Sequence, residues 1–179
     1  MVKQRVRRAL KILGGMILML GFVAVCLAVI VRYAGGWGVP YFSFTTDRGS
    51  ECVNRITGYV CSPLNLADVE YYADLDLPAN TRVVSGTYTS THDYRLESML
   101  EVPGKWPPTA AIKNLNQSFG RCLADHPAPF ETTGLTQVCV LANDDAVVES
   151  GEPAARLYVI GTGLRKDGTR VIGLFIRSR

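Results

Sequence analysis

Residues 81–103, TRVVSGTYTSTHDYRLESMLEVP, decide the fold because their side chains alternate with a period of two. The alternating sets are Val84, Gly86 and Tyr88 against Val83, Ser85 and Thr87 in the first run, and Tyr94, Leu96, Ser98, Leu100 and Val102 against Arg95, Glu97, Met99 and Glu101 in the second. This period is typical of strands with one polar face. We therefore predict two antiparallel strands joined at residues 90–93.

The last third of the chain predicts three more strands. One covers residues 135–142, and two further runs, 155–164 and 169–177, flank Asp167-Gly168, a dipeptide typical of hairpin turns. Both hairpin strands are apolar on both faces, which predicts central positions in a sheet. The acidic residues 143–153, between the first run and the hairpin, predict an exposed loop.

Two helices are predicted to accompany these strands. Apolar residues at helical spacing predict a short helix over about 65–74, with Asn65 as its cap. A longer amphipathic helix is expected over about 108–124, where Ile112 and Leu115 belong to one apolar stripe. The predicted fold class is α+β: an N-terminal transmembrane helix followed by a small, mostly antiparallel sheet with helices packed on one face.

The transmembrane helix is predicted from residues 12–31, ILGGMILMLGFVAVCLAVIV, which carry no charge. As a helix they would extend roughly 30 Å, the thickness of a bilayer core. A cleaved signal peptide would have a shorter apolar core and a better cleavage site than residues 34–36 provide. Lipid attachment at Cys26 would need a small residue in place of Val25. We therefore interpret the segment as a retained anchor.

The basic residues before this span indicate its orientation. Five of the nineteen lysines and arginines lie within residues 1–11, which contain no acidic residue. Because positively charged flanks stay in the cytoplasm, residues 1–11 are expected inside and the C-terminal part outside the cell membrane, in a single-pass topology. Residues 33–179 carry thirteen basic and sixteen acidic residues, a balance that gives no support for nucleic acid binding.

Residues 32–50 join the span to an extracytoplasmic domain predicted over 51–179. Arg32 can extend to the lipid headgroups, and Tyr33 and Trp37 lie where membrane-interface residues are expected. The same aromatic belt would include Tyr41, Phe42 and Phe44. The glycines of this segment predict a flexible stalk.

Four of the five cysteines lie beyond the span: Cys52, Cys61, Cys122 and Cys139. An even number on the oxidising side of a membrane predicts two disulfides. Of three possible pairings we favour Cys52–Cys61 and Cys122–Cys139, which close the shortest loops and would each stabilise by roughly 3 kcal/mol in the loop-entropy model. A zinc site is the alternative, but the sequence has no Cys-x-x-Cys pair to complete a ligand set.

One stretch, LADVEYYADLDLPANTRVVSGTYTSTHDYRLESMLEVP over residues 66–103, resembles short single-pass, membrane-anchored extracytoplasmic proteins of actinobacteria. The shared pattern is helix, Leu-Pro, two alternating strands, Val-Pro and helix, over roughly residues 64–123. The resemblance implies a small α+β domain outside the membrane. It carries no functional residue to this chain.

Candidate catalytic residues are few. Only His92 and His126 could provide an imidazole base. His92 directly precedes Asp93, and adjacent residues on an extended chain point to opposite faces, so the two do not form a catalytic pair. We interpret His92 as a turn residue and His126 as a surface or capping residue.

The acidic residues within 68–76 are interpreted as a solvated face. A weak calcium site through Asp74, Asp76 and Asn80 is the alternative, although the regular spacing of a calcium loop is missing.

The expected function is a membrane-anchored extracytoplasmic binding or accessory domain without catalytic activity or cofactor. Its partners would be the lipid bilayer and an envelope or membrane protein, reached through the domain or through the helix face that carries Gly14, Gly21 and Ala28. The alternative is a small extracytoplasmic enzyme that acts on the cell wall or on a secreted substrate.

Overall fold

The computed structural model describes residues 2–104, 122–123, 125–143 and 156–179. An N-terminal helix α1, a short helix α2 and eight strands make up these residues. Their bounds are α1 Val2–Tyr33, β1 Ser43–Thr45, β2 Glu51–Arg55, β3 Gly58–Cys61, α2 Leu66–Ala73, β4 Arg82–Ser90, β5 Tyr94–Val102, β6 Thr136–Ala142, β7 Arg156–Leu164 and β8 Arg170–Ser178. The helix expected over 108–124 falls almost entirely outside the described residues, as does most of the acidic loop.

Helix α1 contains a segment, Lys11–Tyr33, that is long and apolar enough to cross a bilayer. One further turn follows it. The N–H groups of Gly38 and Val39 donate to the carbonyl oxygens of Gly35 and Ala34 at 3.1 and 3.0 Å, and Gly38 has φ 75°. This pair of bonds is a Schellman helix end, which favours glycine at the left-handed position. Gly38 therefore ends the helical path.

The segment expected to be a flexible stalk is attached to the sheet. The Asn54 side chain donates to the Gly35 oxygen at 2.6 Å, and the Asn54 main chain bonds Tyr41 and Phe42 at 2.8 and 3.0 Å. Strand β1 then continues this pairing along β2. A Cβ at Gly35 would collide with the Ser43 carbonyl. Gly35 thus permits close packing of the helix end on the edge strand.

The eight strands form one antiparallel sheet in the order β1-β2-β3-β4-β5-β8-β7-β6. The hairpins β4–β5 and β7–β8 are the two that the sequence predicted. Strand β8 lies beside β5, so β7 and β8 occupy the interior of the sheet, in agreement with their apolar side chains on both faces. Among the described strands, the two edges are β1, which has three residues, and β6.

One face of the sheet, which we call the inner face, carries the main core. It buries Leu96, Leu100, Ile160, Ile172 and Ile176 from the strands and Val69 and Ala73 from α2. Helix α2 is capped as predicted, since Asn65 Oδ1 accepts from the Asp68 N–H at 2.8 Å. The expectation that a second helix packs on this face stays a prediction.

A β-bulge in β4 changes the face on which Val84 lies. Val83 is opposite Leu100 and Ser85 is opposite Met99, so Val84 is an extra residue in the ladder. Val83 therefore packs against the core, while Val84 is 50% exposed. The predicted grouping of Val84 with Gly86 and Tyr88 was wrong, because alternation in a sequence does not reveal an inserted residue.

Candidate functional site

The opposite, outer face of the sheet is partly covered by residues 125–135, which we call the strap. Phe130 and Pro129 of the strap lie against Gly161 and Gly173, which are directly opposite each other in β7 and β8. A Cβ at Gly161 would be 2.6 Å from Phe130 Cε1, closer than real Cβ atoms approach. The paired glycines therefore provide a flat floor that seats the strap.

An open groove of about 600 Å³ runs beside the strap, and we call it the outer groove. Its strand wall carries Ser85, Thr87, Arg95, Glu97, Met99, Val159 and Phe175, and its strap wall carries His126, Pro127, Ala128 and Pro129. These strand side chains belong to one alternating face of β4, β5, β7 and β8. The groove has the volume of a typical ligand site and is partly open to solvent.

An exposed ion pair lies in the outer groove. Arg95 Nε donates to Glu97 Oε1 at 2.6 Å, and the Arg95 guanidinium lies 5.0 Å from the centre of the Phe175 ring. More than half of the Arg95 side chain and half of the Glu97 side chain are exposed. Such a pair contributes only about 0.2–1 kcal/mol. Charged groups of a binding partner can therefore take the place of this ion pair at a small cost in free energy.

The outer groove also contains the residue types that acyl transfer uses. His126 lies on the strap wall, whereas the Ser85 and Thr87 hydroxyls and the Glu97 carboxylate lie on the strand wall. His126 Nδ1 is 3.1 Å from the Pro127 oxygen, and a proton on Nδ1 would leave Nε2 as the basic nitrogen. His126 was expected to be a surface or capping residue, and the structure places it half-buried in the groove wall.

The second histidine lies away from the groove. His92 is exposed in the bend between β4 and β5, as predicted. The side chain and main chain of Thr91 bond Asp93 across the same bend. His92 therefore belongs to the hairpin connection.

The cysteines beyond α1 lie at disulfide distance in the pairing expected from loop length. Cys52 and Cys61 are cross-strand partners in β2 and β3, and Cys122 is joined to Cys139 of edge strand β6. Cys26 in α1 is a free cysteine. Within residues 2–104, 122–123, 125–143 and 156–179, no group of three or more His, Cys, Asp or Glu side chains is arranged to hold a metal.

Asp68 is buried and does not belong to a solvated acidic face. Its Oδ2 accepts from Thr46 Oγ1 at 2.7 Å and from the Ser50 N–H at 3.1 Å. The carboxylate therefore fixes the loop before β2 against helix α2. The interpretation of residues 68–76 as solvated was wrong for Asp68, because a count of charges does not show which carboxylate has buried donors.

Asp74 and Asp76 line a hollow beside α2 that also contains Arg156. Arg156 Nη2 donates to the carbonyl oxygens of Tyr72 and Ala73 at 3.1 and 2.6 Å, near the C-terminal end of the helix. A guanidinium in this position opposes a second cation by Coulomb repulsion. The calcium alternative stays a prediction, with Arg156 as an argument against it.

A cluster of half-buried aromatic rings lies on the inner face beside α2. Its members are Phe44, Tyr59, Tyr72, Tyr88 and Tyr94. Tyr72 and Tyr88 stack with ring centres 3.7 Å apart, and Phe44 meets Tyr59 edge-on at 5.4 Å. Burial, and then the Tyr59 phenol, raise the pKa of Tyr72 and Tyr88, so both phenols are neutral at physiological pH. Phe44, expected in a membrane belt, packs against the core of the domain, and its depth relative to a membrane stays a prediction.

The three predicted membrane-interface residues lie at the end of α1. Arg32 and Tyr33 belong to its last turn, and Trp37 to the turn that follows. The Tyr33 and Trp37 rings are 6.2 Å apart and both are more than half exposed. Their exposure beside an apolar helix fits a membrane interface, which stays a prediction.

Comparison of the chain with protein-family models, curated proteins and solved structures finds no match. Function is therefore inferred from the geometry, charge and burial of the described residues. The resemblance to anchored actinobacterial proteins stays an expectation.

The outer groove was not predicted from the sequence. Residues 81–103 show the polar face of its strand wall, but the composition of the strap, 125–135, indicates only a break after a helix. The available signal was Gly161 and Gly173 in otherwise apolar strands, since a glycine inside a strand often marks the close approach of another segment.

Proposed function

We propose that this chain is a single-pass membrane protein whose disulfide-bonded domain lies on the extracytoplasmic side and binds an envelope or membrane protein without catalysis. The apolar length of α1 supports anchoring. The two disulfides support an oxidising compartment for the domain. The basic residues before the span support a cytoplasmic N-terminus.

The observation that carries the binding role is the outer groove. Met99, Phe175 and Pro129 provide apolar surface within it, and the Arg95–Glu97 ion pair provides exchangeable charge. Apolar contact surface combined with polar, solvated groups is the usual composition of a protein–protein interface. Catalysis by contrast favours a site that closes and expels water.

Reporter fusions test the topology. A reporter active only in the cytoplasm and one active only outside are fused in turn to the C-terminus. We expect activity from the second alone. Activity of the cytoplasmic reporter would contradict the proposed location.

Site-specific photocrosslinking in intact cells tests the groove. A photoreactive amino acid at Thr87 or Met99 should give a protein adduct of defined mass, and Arg95→Glu should diminish that adduct. The matched control is Val53, which is exposed on the same outer face but outside the groove. Equal adducts from the groove and from Val53 would show that the groove is not the binding surface.

The enzyme alternative depends on the residue types that face each other across the groove. A fluorophosphonate probe labels serines activated by a neighbouring base. Labelling of Ser85 that disappears in His126→Gln would replace the binding proposal by an acyl-transfer enzyme. We expect no labelling of Ser85 in either protein.

A further inference from the structure

A second cleft, of about 660 Å³, separates the end of helix α1 from the edge of the sheet. Its helix wall carries Val31, Arg32, Tyr33 and Gly36, and its domain wall carries Phe42, Ser43, Phe44, Thr45 and Glu51. The apolar span ends at Tyr33, so in a bilayer this cleft lies at the depth of the lipid headgroups. We call it the interfacial cleft.

The interfacial cleft has one positive and one negative side chain on its two walls. Arg32 on the helix and Glu51 on β2 are both exposed. Neither forms an ion pair within the part of the chain that the structure describes, whereas Glu101 is paired with Arg82 and Arg165. The hydroxyls of Ser43 and Thr45 add hydrogen-bonding groups to the wall that carries Glu51.

We propose that the interfacial cleft binds the headgroup of a zwitterionic phospholipid with a primary amine, with its phosphate at Arg32 and its ammonium at Glu51. The inference rests on the proposed membrane anchoring and extends it from a general bilayer contact to a selective lipid site. The attachment of Gly35 to Asn54 holds the two walls together.

The charges distinguish this headgroup from other common ones. A guanidinium binds phosphate through two parallel hydrogen bonds. A primary ammonium offers three N–H donors to a carboxylate, whereas a choline group has none. An anionic headgroup without an amine would bring negative charge near Glu51 and would form no ammonium–carboxylate contact with it. The apolar side chains Val31 and Phe42 suit the glycerol and upper acyl region of the lipid.

Native mass spectrometry of the full chain in detergent tests the site. The protein is mixed with equal amounts of phosphatidylethanolamine, phosphatidylcholine and phosphatidylglycerol that carry the same acyl chains. We expect the ethanolamine lipid to be retained about threefold to tenfold more than either competitor, as for one charge-assisted contact. Glu51→Gln should abolish this preference, and Arg32→Gln should lower retention of all three lipids.

Two exposed charges outside the cleft give matched controls. Glu131→Gln in the strap and Arg177→Gln on β8, both at exposed positions, remove the same charges and should leave retention unaltered. Arg32→Lys, which keeps the charge but not the fork of donors, should bind between the wild type and Arg32→Gln. Equal retention of the three lipids by the wild type, or equal losses in cleft and control variants, would overturn the lipid site.

Carbonate extraction of membranes distinguishes failure of the lipid site from failure of the proposed membrane anchoring. Release of the chain by carbonate would remove the anchoring on which the site rests. A chain that resists carbonate but shows no lipid preference would overturn the lipid site alone.

Discussion

The side chain of Asn54 donates a hydrogen bond to the main-chain oxygen of Gly35 at 2.6 Å, so strand β2 holds the end of the apolar helix. The Asn54 main chain also bonds Tyr41 and Phe42. Three hydrogen bonds of one buried residue thus join the helix end, its connection and the sheet. The joint bonds to the sheet a segment that its glycines predict to be flexible.

Replacing Asn54 by Ala should loosen the joint. The Gly35 oxygen would lose a buried partner, which costs about 1–3 kcal/mol. We expect a lower midpoint of thermal unfolding and faster amide hydrogen exchange over residues 34–43. The control is Asn80→Ala, at an exposed position. Unchanged exchange over residues 34–43 would contradict the joint.

Substitutions at two adjacent glycines, Gly35 and Gly36, can distinguish close packing from main-chain flexibility as the reason for glycine in this segment. A Cβ at Gly35 would collide with the Ser43 carbonyl, whereas at Gly36 the nearest atom is the Tyr33 oxygen at 3.6 Å. Gly35→Ala should therefore destabilise by about 1–3 kcal/mol. Gly36→Ala should be neutral or slightly stabilising, since Ala is favoured over Gly in helices by about 1 kcal/mol. The midpoints of thermal unfolding of the two variants test this difference. Equal changes in the two midpoints would favour a flexible stalk.

Asp68 should be far more important for stability than its acidic neighbours in the sequence. Asp68→Ala leaves the Thr46 hydroxyl without its acceptor and the Ser50 N–H with Thr46 Oγ1 as its acceptor, at a cost of about 1–3 kcal/mol. Asp47→Ala, at an exposed position in the same loop, is the matched control and should change the free energy of unfolding by less than about 0.5 kcal/mol. Urea titration measures both, and similar values would show that Asp68 is solvated.

Glu101 should make stability depend on acid pH. Hydrogen bonds from Arg82 and Arg165, at 2.5 and 2.6 Å, lower its pKa below the ordinary 4.5. A carboxyl whose pKa is lower in the folded state stabilises above its unfolded pKa, and this contribution disappears as pH falls through the folded pKa.

The contribution of Glu101 is about 1 kcal/mol at most, because Arg82 and Arg165 are exposed. The free energy of unfolding of Glu101→Gln should therefore be lower than that of the wild type at neutral pH. The difference should vanish well below pH 4.5, and a constant difference across that range would exclude this origin.

The disulfide pairing can be checked directly by peptide mapping without reduction. Peptides containing Cys52 and Cys61, and peptides containing Cys122 and Cys139, should each be found joined. Cys26 should react with an alkylating agent once the bilayer is dissolved. A crossed pair such as Cys52 with Cys122 would contradict the structure.

Five of the eight described strands, β4 to β8, could be predicted because their signals are local, whereas β1, β2 and β3 were not predicted as strands. The period of two in β5 and the Asp167-Gly168 turn between β7 and β8 predict both hairpins without reference to any tertiary contact. The Asn65 cap was found for the same reason, since it depends on neighbours within one helical turn. The shared property of these successes is a short separation along the chain.

The rest depends on contacts between distant segments. Nothing near β8 indicates that it lies beside β5, and nothing near Gly35 indicates that a carbonyl eight residues away excludes a Cβ. Glycine has two structural uses, freedom of the main chain and close approach, and a sequence does not distinguish them. The outer groove was missed because one wall comes from β4, β5, β7 and β8 and the other from residues 126–129 of the strap, and only the fold brings these segments together.

The joint at Asn54 also has a mechanical meaning. A domain that is joined to its anchor by a flexible linker can rotate freely. The direction in which any of its surfaces faces is then not fixed. Because the helix end is bonded to the sheet, rotation of the helix about its long axis turns the domain with it. In the proposed membrane-anchored state, the direction in which the outer groove faces would be set by the neighbour that the helix packs against within the bilayer.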